Sequence, residues 1–140
     1  MVNNYKKIAV AIDFSEQSIK AFERAVEIAK NNEAILQLVN VVDTKSFGAI
    51  AAYDLKYADQ LKNERLEKIE ALKGQALATG VMNVEVKVEK GSPKEILTQL
   101  PEIDLLICGV TGVNQIEKLI IGSVAERILR FSKYDVLIVR

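Results

Sequence analysis

Leu105-Leu106-Ile107-Cys108, then Gly109-Val110-Thr111-Gly112, nine further residues, and Gly122-Ser123-Val124-Ala125-Glu126-Arg127-Ile128-Leu129: the reading of this stretch decides the fold. The unbroken apolar run reads as a buried strand, and the segment from Val124 reads as a helix. Between them lies a loop punctuated by glycine. Glycine has no Cβ, so its backbone reaches positive φ and approaches a ligand closely, while the first turn of the next helix offers unpaired N–H groups and a positive dipole end. Such a loop is suited to phosphate. Ser123 with Glu126 three residues on also fits a capping box, which needs no ligand.

Upstream, Lys7-Ile8-Ala9-Val10-Ala11-Ile12 and Ile35-Leu36-Gln37-Leu38-Val39-Asn40-Val41-Val42 are near-continuous apolar runs, the pattern of parallel strands covered on both faces. Asp13-Phe14-Ser15 separates the first from a helix reaching about Asn31, with Ile19, Phe22, Ala25, Val26 and Ala29 on one side. The three elements make a right-handed βαβ unit. A loop is expected between Asp43 and Tyr53, with Phe47 to Ala52 as its apolar part. The helix after it carries Leu55, Ala58, Leu61, Leu66, Ile69, Leu72 and Ala76 in one stripe. Val84-Glu85-Val86-Lys87-Val88-Glu89 alternates strictly, so this third strand has a wet face and belongs at an edge. Ser92 as N-cap, Pro93 at the first position and Glu95 at the third open a short helix through about Leu100. After the glycine loop, Val124, Ile128 and Leu129 point inward, and Tyr134-Asp135 leads into Val136-Leu137-Ile138-Val139.

Strands alternating with helices predict an α/β fold: an open, mostly parallel five-stranded sheet with helices on both faces, in one domain over residues 1–140. Orders 2-1-3-4-5 and 3-2-1-4-5 are both compatible with this pattern; the alternating third strand favours 3-2-1-4-5. The fifth strand is then the other edge, apolar on both faces, and is expected to pair with a second copy of itself across a two-fold axis, the alternative being a covered edge in a monomer. In open sheets, ligands bind beyond the carboxyl ends of the strands where the winding reverses, here between strands one and four. Asp13 and Gly109 end those two strands.

Composition narrows the chemistry. The 140 residues hold 19 basic and 19 acidic side chains, so there is no basic field for nucleic acid. No apolar run approaches the ~20 residues that span a bilayer and no leader is visible, which predicts a cytoplasmic protein without membrane contact. One cysteine, Cys108, and no histidine exclude an internal disulfide, imidazole acid-base catalysis and His- or Cys-rich zinc sites. Cys108 reads as a small buried hydrophobe. No G-x-x-x-x-G-K-[ST] or G-x-G-x-x-G motif occurs, and the third strand ends in Glu89-Lys90-Gly91 without an aspartate for phosphorylation. Asp13 beside a polyphosphate is placed to hold Mg²⁺ or a ribose hydroxyl, or else to cap the first helix with Glu16 at its third position. The Val41 backbone at the end of strand two is placed to meet a flat base, with plain core as the alternative. Lys118 is the only cation in the glycine loop, and reads as a solvated surface residue.

The run Val10-Ala11-Ile12-Asp13-Phe14-Ser15, the Gly91-Ser92-Pro93 turn, the Gly-x-x-Gly, nine residues, Gly-Ser pattern, and the run from Gly122-Ser123-Val124-Ala125-Glu126-Arg127 to Val136-Leu137-Ile138-Val139-Arg140 together resemble the universal stress protein family over essentially the whole chain. The resemblance implies the 3-2-1-4-5 sheet, dimerisation through the last strand and, from the glycine pattern, membership of the ATP-binding branch. It implies that Ala11, Ile12 and Asp13 contact base and ribose and that Val41 holds adenine by its backbone. Gly109, Val110, Thr111 and Gly112 would line ribose and phosphates, and Gly122, Ser123, Val124 and Ala125 would bind phosphate. Ala11-Ile12 replaces a frequent proline-containing pair, Asn40 stands where histidine is common, and Val113-Asn114-Gln115 lacks a frequent basic residue.

The expected function is that of a cytoplasmic, dimeric, ATP-binding stress-response regulator acting on an unidentified protein partner, with at most slow hydrolysis or autophosphorylation. AMP or ADP is an alternative ligand. A phosphohydrolase or transferase on the same cradle, and an interaction dimer with an empty loop, are the competing readings.

Overall fold

The structure is a computed structural model that describes residues 5–44, 51–110 and 121–140, without the side chains of 51–55. Five strands, β1 (Lys7–Ala11), β2 (Ile35–Asp43), β3 (Val84–Gly91), β4 (Leu105–Gly109) and β5 (Asp135–Val139), form one sheet in the order β3-β2-β1-β4-β5. Every pairing is parallel. This is the order favoured by the alternating third strand, and β3 is indeed an edge.

The apolar runs explain the two layers. On one face Ile8, Val10, Leu36, Leu38 and Ile107 pack beneath α1 (Glu16–Asn32) and α2 (Ala51–Thr79). On the other, Ala9, Val39, Leu106 and Cys108 pack beneath α3 (Pro93–Ile96) and α4 (Ser123–Phe131). The central strands contribute to both, which is why they read as continuous apolar sequence. Glu85, Lys87 and Glu89 on β3 are partly exposed, with Glu85 bound to Lys7 at 2.9 Å and Glu89 to Lys87 at 3.5 Å. Tyr134 locks the second layer: its hydroxyl accepts from the Leu100 N–H at 3.2 Å and donates to the Leu97 carbonyl.

Several local expectations are corrected. α2 begins at Ala51, inside the segment expected to be loop, and Phe47 lies outside the described residues. Leu66 is 38% exposed, because the adjacent Arg65 takes the half-buried place on that helix face and lays its guanidinium over the Phe14 ring, 5.7 Å from its centre. α3 stops at Ile96, and Ser92 precedes it without a side-chain capping bond. Leu129 is 56% exposed, since Ala125 and Ile128 alone fill the buried stripe of the short α4 and Leu129 lies a full helical step beyond it.

Candidate functional site

Two connections meet at the carboxyl ends of β1 and β4. Ile12 extends the β1–β2 pairing by donating its N–H to Val39 at 2.8 Å. The chain then turns through Phe14, whose φ of 64° lies in the left-handed region. A closed set of bonds holds that conformation: Asp13 Oδ1 accepts from the Ser15 N–H at 3.0 Å and its hydroxyl at 2.5 Å, and Ser18 Oγ accepts from the Asp13 N–H at 3.3 Å. Ser15 Oγ in turn accepts from the Ser18 N–H at 3.2 Å. A costly non-glycine backbone conformation kept by this many bonds is a feature found at ligand sites. Ser15, not Asp13, is the cap of α1. The carboxylate of Asp13 sits two residues ahead of the cap and remains half-buried.

Asn40 supports the same connection from β2. It is 1% exposed and its Nδ2 donates to the Ile12 carbonyl at 2.6 Å, while its Oδ1 is buried without a partner. That bond was not anticipated; the signal for it was an amide inside the apolar run of residues 35–42. Val41 follows Asn40, two residues beyond the Val39 that pairs with Ala11, so its half-exposed position overlooks the turn after β1.

The β4 side is built equally tightly. A Cβ on Gly109 would lie 2.9 Å from Gln17 Cβ and 3.0 Å from the Gln17 backbone C and O. The first turn of α1 thus rests directly on the end of β4, and this contact brings the two connections together. Val110 donates its N–H to the Val139 carbonyl at 2.9 Å and accepts at its own carbonyl from the Gly122 N–H at 2.8 Å. The two ends of the glycine loop are therefore tied to each other. Thr111, Gly112 and Lys118 lie outside the described residues.

Gly122, not Ser123, is the N-cap of α4, and it provides no side-chain capping bond. This overturns the capping box: Ser123 is already in the first helical turn with an exposed side chain, and the Glu126 carboxylate accepts from Arg130 Nε at 3.1 Å. The orphan N–H groups of α4 thus lack the side-chain acceptor that a serine cap would give them. Val124 is half-buried and Ala125 is buried, which fixes the helix against the second layer. Ala11, Ile12, Asp13, Gly109, Val110, Gly122, Ser123, Val124 and Ala125 all belong to these two connections or their flanks.

The donor set has clear chemical limits. Burial pushes the Cys108 thiol, just ahead of Gly109, up to about 12, so it is not a nucleophile at neutral pH. Among the described residues no group of three or more His, Cys, Asp or Glu side chains converges on a metal site. Asp13 stands there as a single carboxylate, and its Oδ1 already accepts two bonds from Ser15. Among the described residues, no helix is long and apolar enough to cross a membrane.

Comparison with known proteins agrees with this architecture. A model of the universal stress protein family matches residues 4–140. A candidate universal stress protein of Staphylococcus saprophyticus is 40% identical over 97% of this chain and 84% of its own length. Among solved structures, universal stress protein UspA from Lactobacillus plantarum superposes with a TM-score of 0.89 at 26% identity, covering 98% of this chain and 99% of that one. A universal stress protein solved in complex with cAMP superposes with a TM-score of 0.65 at 29% identity, covering 98% of each chain. On sequence and on structure alike, the chain belongs to the universal stress protein family.

Proposed function

We propose that this protein binds an adenine nucleotide, ATP foremost, at the junction of the β1–α1 and β4–α4 connections, and acts in the cytoplasm as a dimeric, nucleotide-dependent regulator of a protein partner. The observation that carries the proposal is the helix start left uncapped at Gly122, bonded back to Val110 and placed beside the Asp13 turn. Backbone N–H groups at such a start, with the exposed Ser123 hydroxyl, suit phosphate oxygens. Val124 and Ala125 supply further N–H groups in the same turn, while Gly109 and Val110 flank ribose and phosphates together with Thr111 and Gly112. Ala11, Ile12 and Asp13 face base and ribose, and the Val41 backbone meets adenine. The cAMP complex of a relative supports the adenine and ribose part of this reading.

Asp13 is assigned to Mg²⁺ held jointly with the phosphates, the ion neutralising their charge. Among the described residues of the two connections Asp13 is the only carboxylate, and it is bonded to Ser15, so turnover is expected to be slow or absent. Dimerisation is assigned to the open edge of β5, where Val136 to Val139 are all partly exposed.

The deciding experiment is gentle purification, denaturation, and mass spectrometry of whatever nucleotide is released, with Ser123→Asp as control. A carboxylate in the first turn of α4 repels phosphate yet suits the helix dipole, so the variant should fold and come out empty. ATP in the wild type and none in the variant is the expected result. Empty wild-type protein whose melting temperature does not move with ATP and Mg²⁺ would leave the interaction dimer. Repeated turnover that disappears in Asp13→Asn would instead mean a phosphohydrolase.

A further inference from the structure

The nucleotide site lies at the carboxyl ends of the strands; a separate cleft opens at their amino ends. It has a volume of about 380 Å³ and is lined by Tyr5, Ile28, Leu105, Asp135, Val136 and Leu137. Leu105 and Asp135 open β4 and β5, and Tyr5 lies just ahead of β1. α1 packs over the central strands, whereas β5 is the margin of the sheet, so the opening residues of β5 are only partly covered. The volume falls at the lower end of the roughly 300–1,000 Å³ that small-molecule sites occupy.

Two of the lining residues give the cleft a chemical character. The Tyr5 ring is held from both ends: its backbone N–H donates to Asn32 Oδ1 at 3.4 Å, and its hydroxyl donates to Asp135 Oδ2 at 2.8 Å. Asn32 in turn donates from Nδ2 to the Ile28 carbonyl at 2.9 Å, which ties the ring to the helical turn that carries Ile28. Asp135 is exposed, and among the described residues no lysine or arginine pairs with it. Its bond to Tyr5 pushes the phenol up from the ordinary value, so the phenol stays neutral at neutral pH and Asp135 is the one charged residue of the lining. The other four are aliphatic.

We propose that this cleft binds an alkylammonium group, with the charge at the Asp135 carboxylate and the Tyr5 ring and the stem along Ile28, Leu105, Val136 and Leu137. A carboxylate and an aromatic ring both attract a cation, and the aliphatic walls take up methylene groups that water would otherwise have to solvate. Other ligand classes fit less well. Asp135 repels an anion, and a purely hydrocarbon ligand makes no use of the carboxylate. A metal ion would find a single carboxylate, since among the described residues no group of three or more His, Cys, Asp or Glu side chains converges. The proposal is independent of the nucleotide reading, whose residues stand at the opposite ends of the strands. A free amine and a lysine side chain of another protein carry the same group.

An NMR titration of the whole chain with n-pentylammonium tests this directly. The expected result is saturable shifts at Tyr5, Ile28, Leu105 and Leu137. The affinity should be about tenfold above that of n-pentanol, which has the stem without the charge, and of methylammonium, which has the charge without the stem. Asp135→Asn keeps an acceptor for the Tyr5 hydroxyl, so the fold should survive. It should bring pentylammonium down to the pentanol value and leave pentanol unchanged. Tyr5→Phe keeps the ring and should retain most of the preference. Nα-acetyl-lysine methylamide separates the two sources, and either result supports the proposal: binding as tight as pentylammonium points to a protein lysine, weaker binding to a free amine. Equal affinity for pentanol and pentylammonium, a preference that survives in Asp135→Asn, shifts confined to other residues, or no saturable shift in the wild type would each overturn it.

Discussion

Single residues divide here into those that shape the site and those that merely sit near it. Gly109 belongs to the first kind, because its missing side chain is what lets α1 rest on the end of β4. Gly109→Ala should cost about 1–3 kcal/mol in urea unfolding, since backbone atoms of Gln17 cannot swing away as a flexible side chain would. Asn40 was unremarked in the sequence beyond an unusual identity, because its role depends on the Ile12 carbonyl of a neighbouring strand. Asn40→Leu leaves that carbonyl buried and unpaired, an expected loss of about 1–3 kcal/mol. Asn40→Asp, similar in shape but without the donor, should be no better. Cys108 gives a pH signature. Its thiol ionises near 9 when unfolded and near 12 when folded, so the folded state holds the proton between those values. Stability is therefore full below about pH 9 and falls as pH rises toward 12. Tyr134, raised by burial, adds to the same alkaline loss. Urea titrations from pH 8 to 11 should show this decline, shallower in Cys108→Ala.

At the scale of elements, what the sequence reveals is what neighbouring residues decide among themselves. The unbroken runs of β1, β2 and β4 and the alternation of β3 are local patterns, and each strand is found where those patterns put it. Helix starts were harder to read. Asp13 and Ser123 both have the spacing of a cap, yet Ser15 and Gly122 hold those places, because the turn after β1 and the Gly122–Val110 bond set where each helix begins. For the same reason the start of α4 lacks a side-chain cap, which no local spacing announces. Exposure along α4 is another case: Leu129 is as apolar as Ile128, but nothing packs over it. Leu129→Lys should change stability by less than about 0.5 kcal/mol, whereas Ile128→Ala should cost about 2–5 kcal/mol, in parallel thermal and urea melts.

For the whole molecule, topology was legible because one alternating strand had to be an edge and the opposite edge was then apolar by elimination. The location of the site follows from the reversal of winding between β1 and β4, and the Gln17–Gly109 contact makes it a single place. A nucleotide bridging both connections should stabilise the folded state by about 2.7 kcal/mol at 100 times its Kd, and so raise the melting temperature in a concentration-dependent way. Ser123→Asp should abolish that rise while keeping the unliganded melting temperature. α2 packs its buried stripe on the first layer and sets two cations over Phe14, with Lys68 5.4 Å and Arg65 5.7 Å from the ring centre.

The two margins of the sheet are chemically opposite. β3 ends it with Glu85, Lys87 and Glu89, side chains that keep water and salt partners along the rim, whereas β5 ends it with four aliphatic residues. Were two copies to join at β5, a charged rim would stand at each outer limit, and a third copy would find no aliphatic strand to continue from. Growth in that arrangement would stop at two, one flank open to a partner and the other refusing it, so that high concentration would yield a closed pair instead of a fibre.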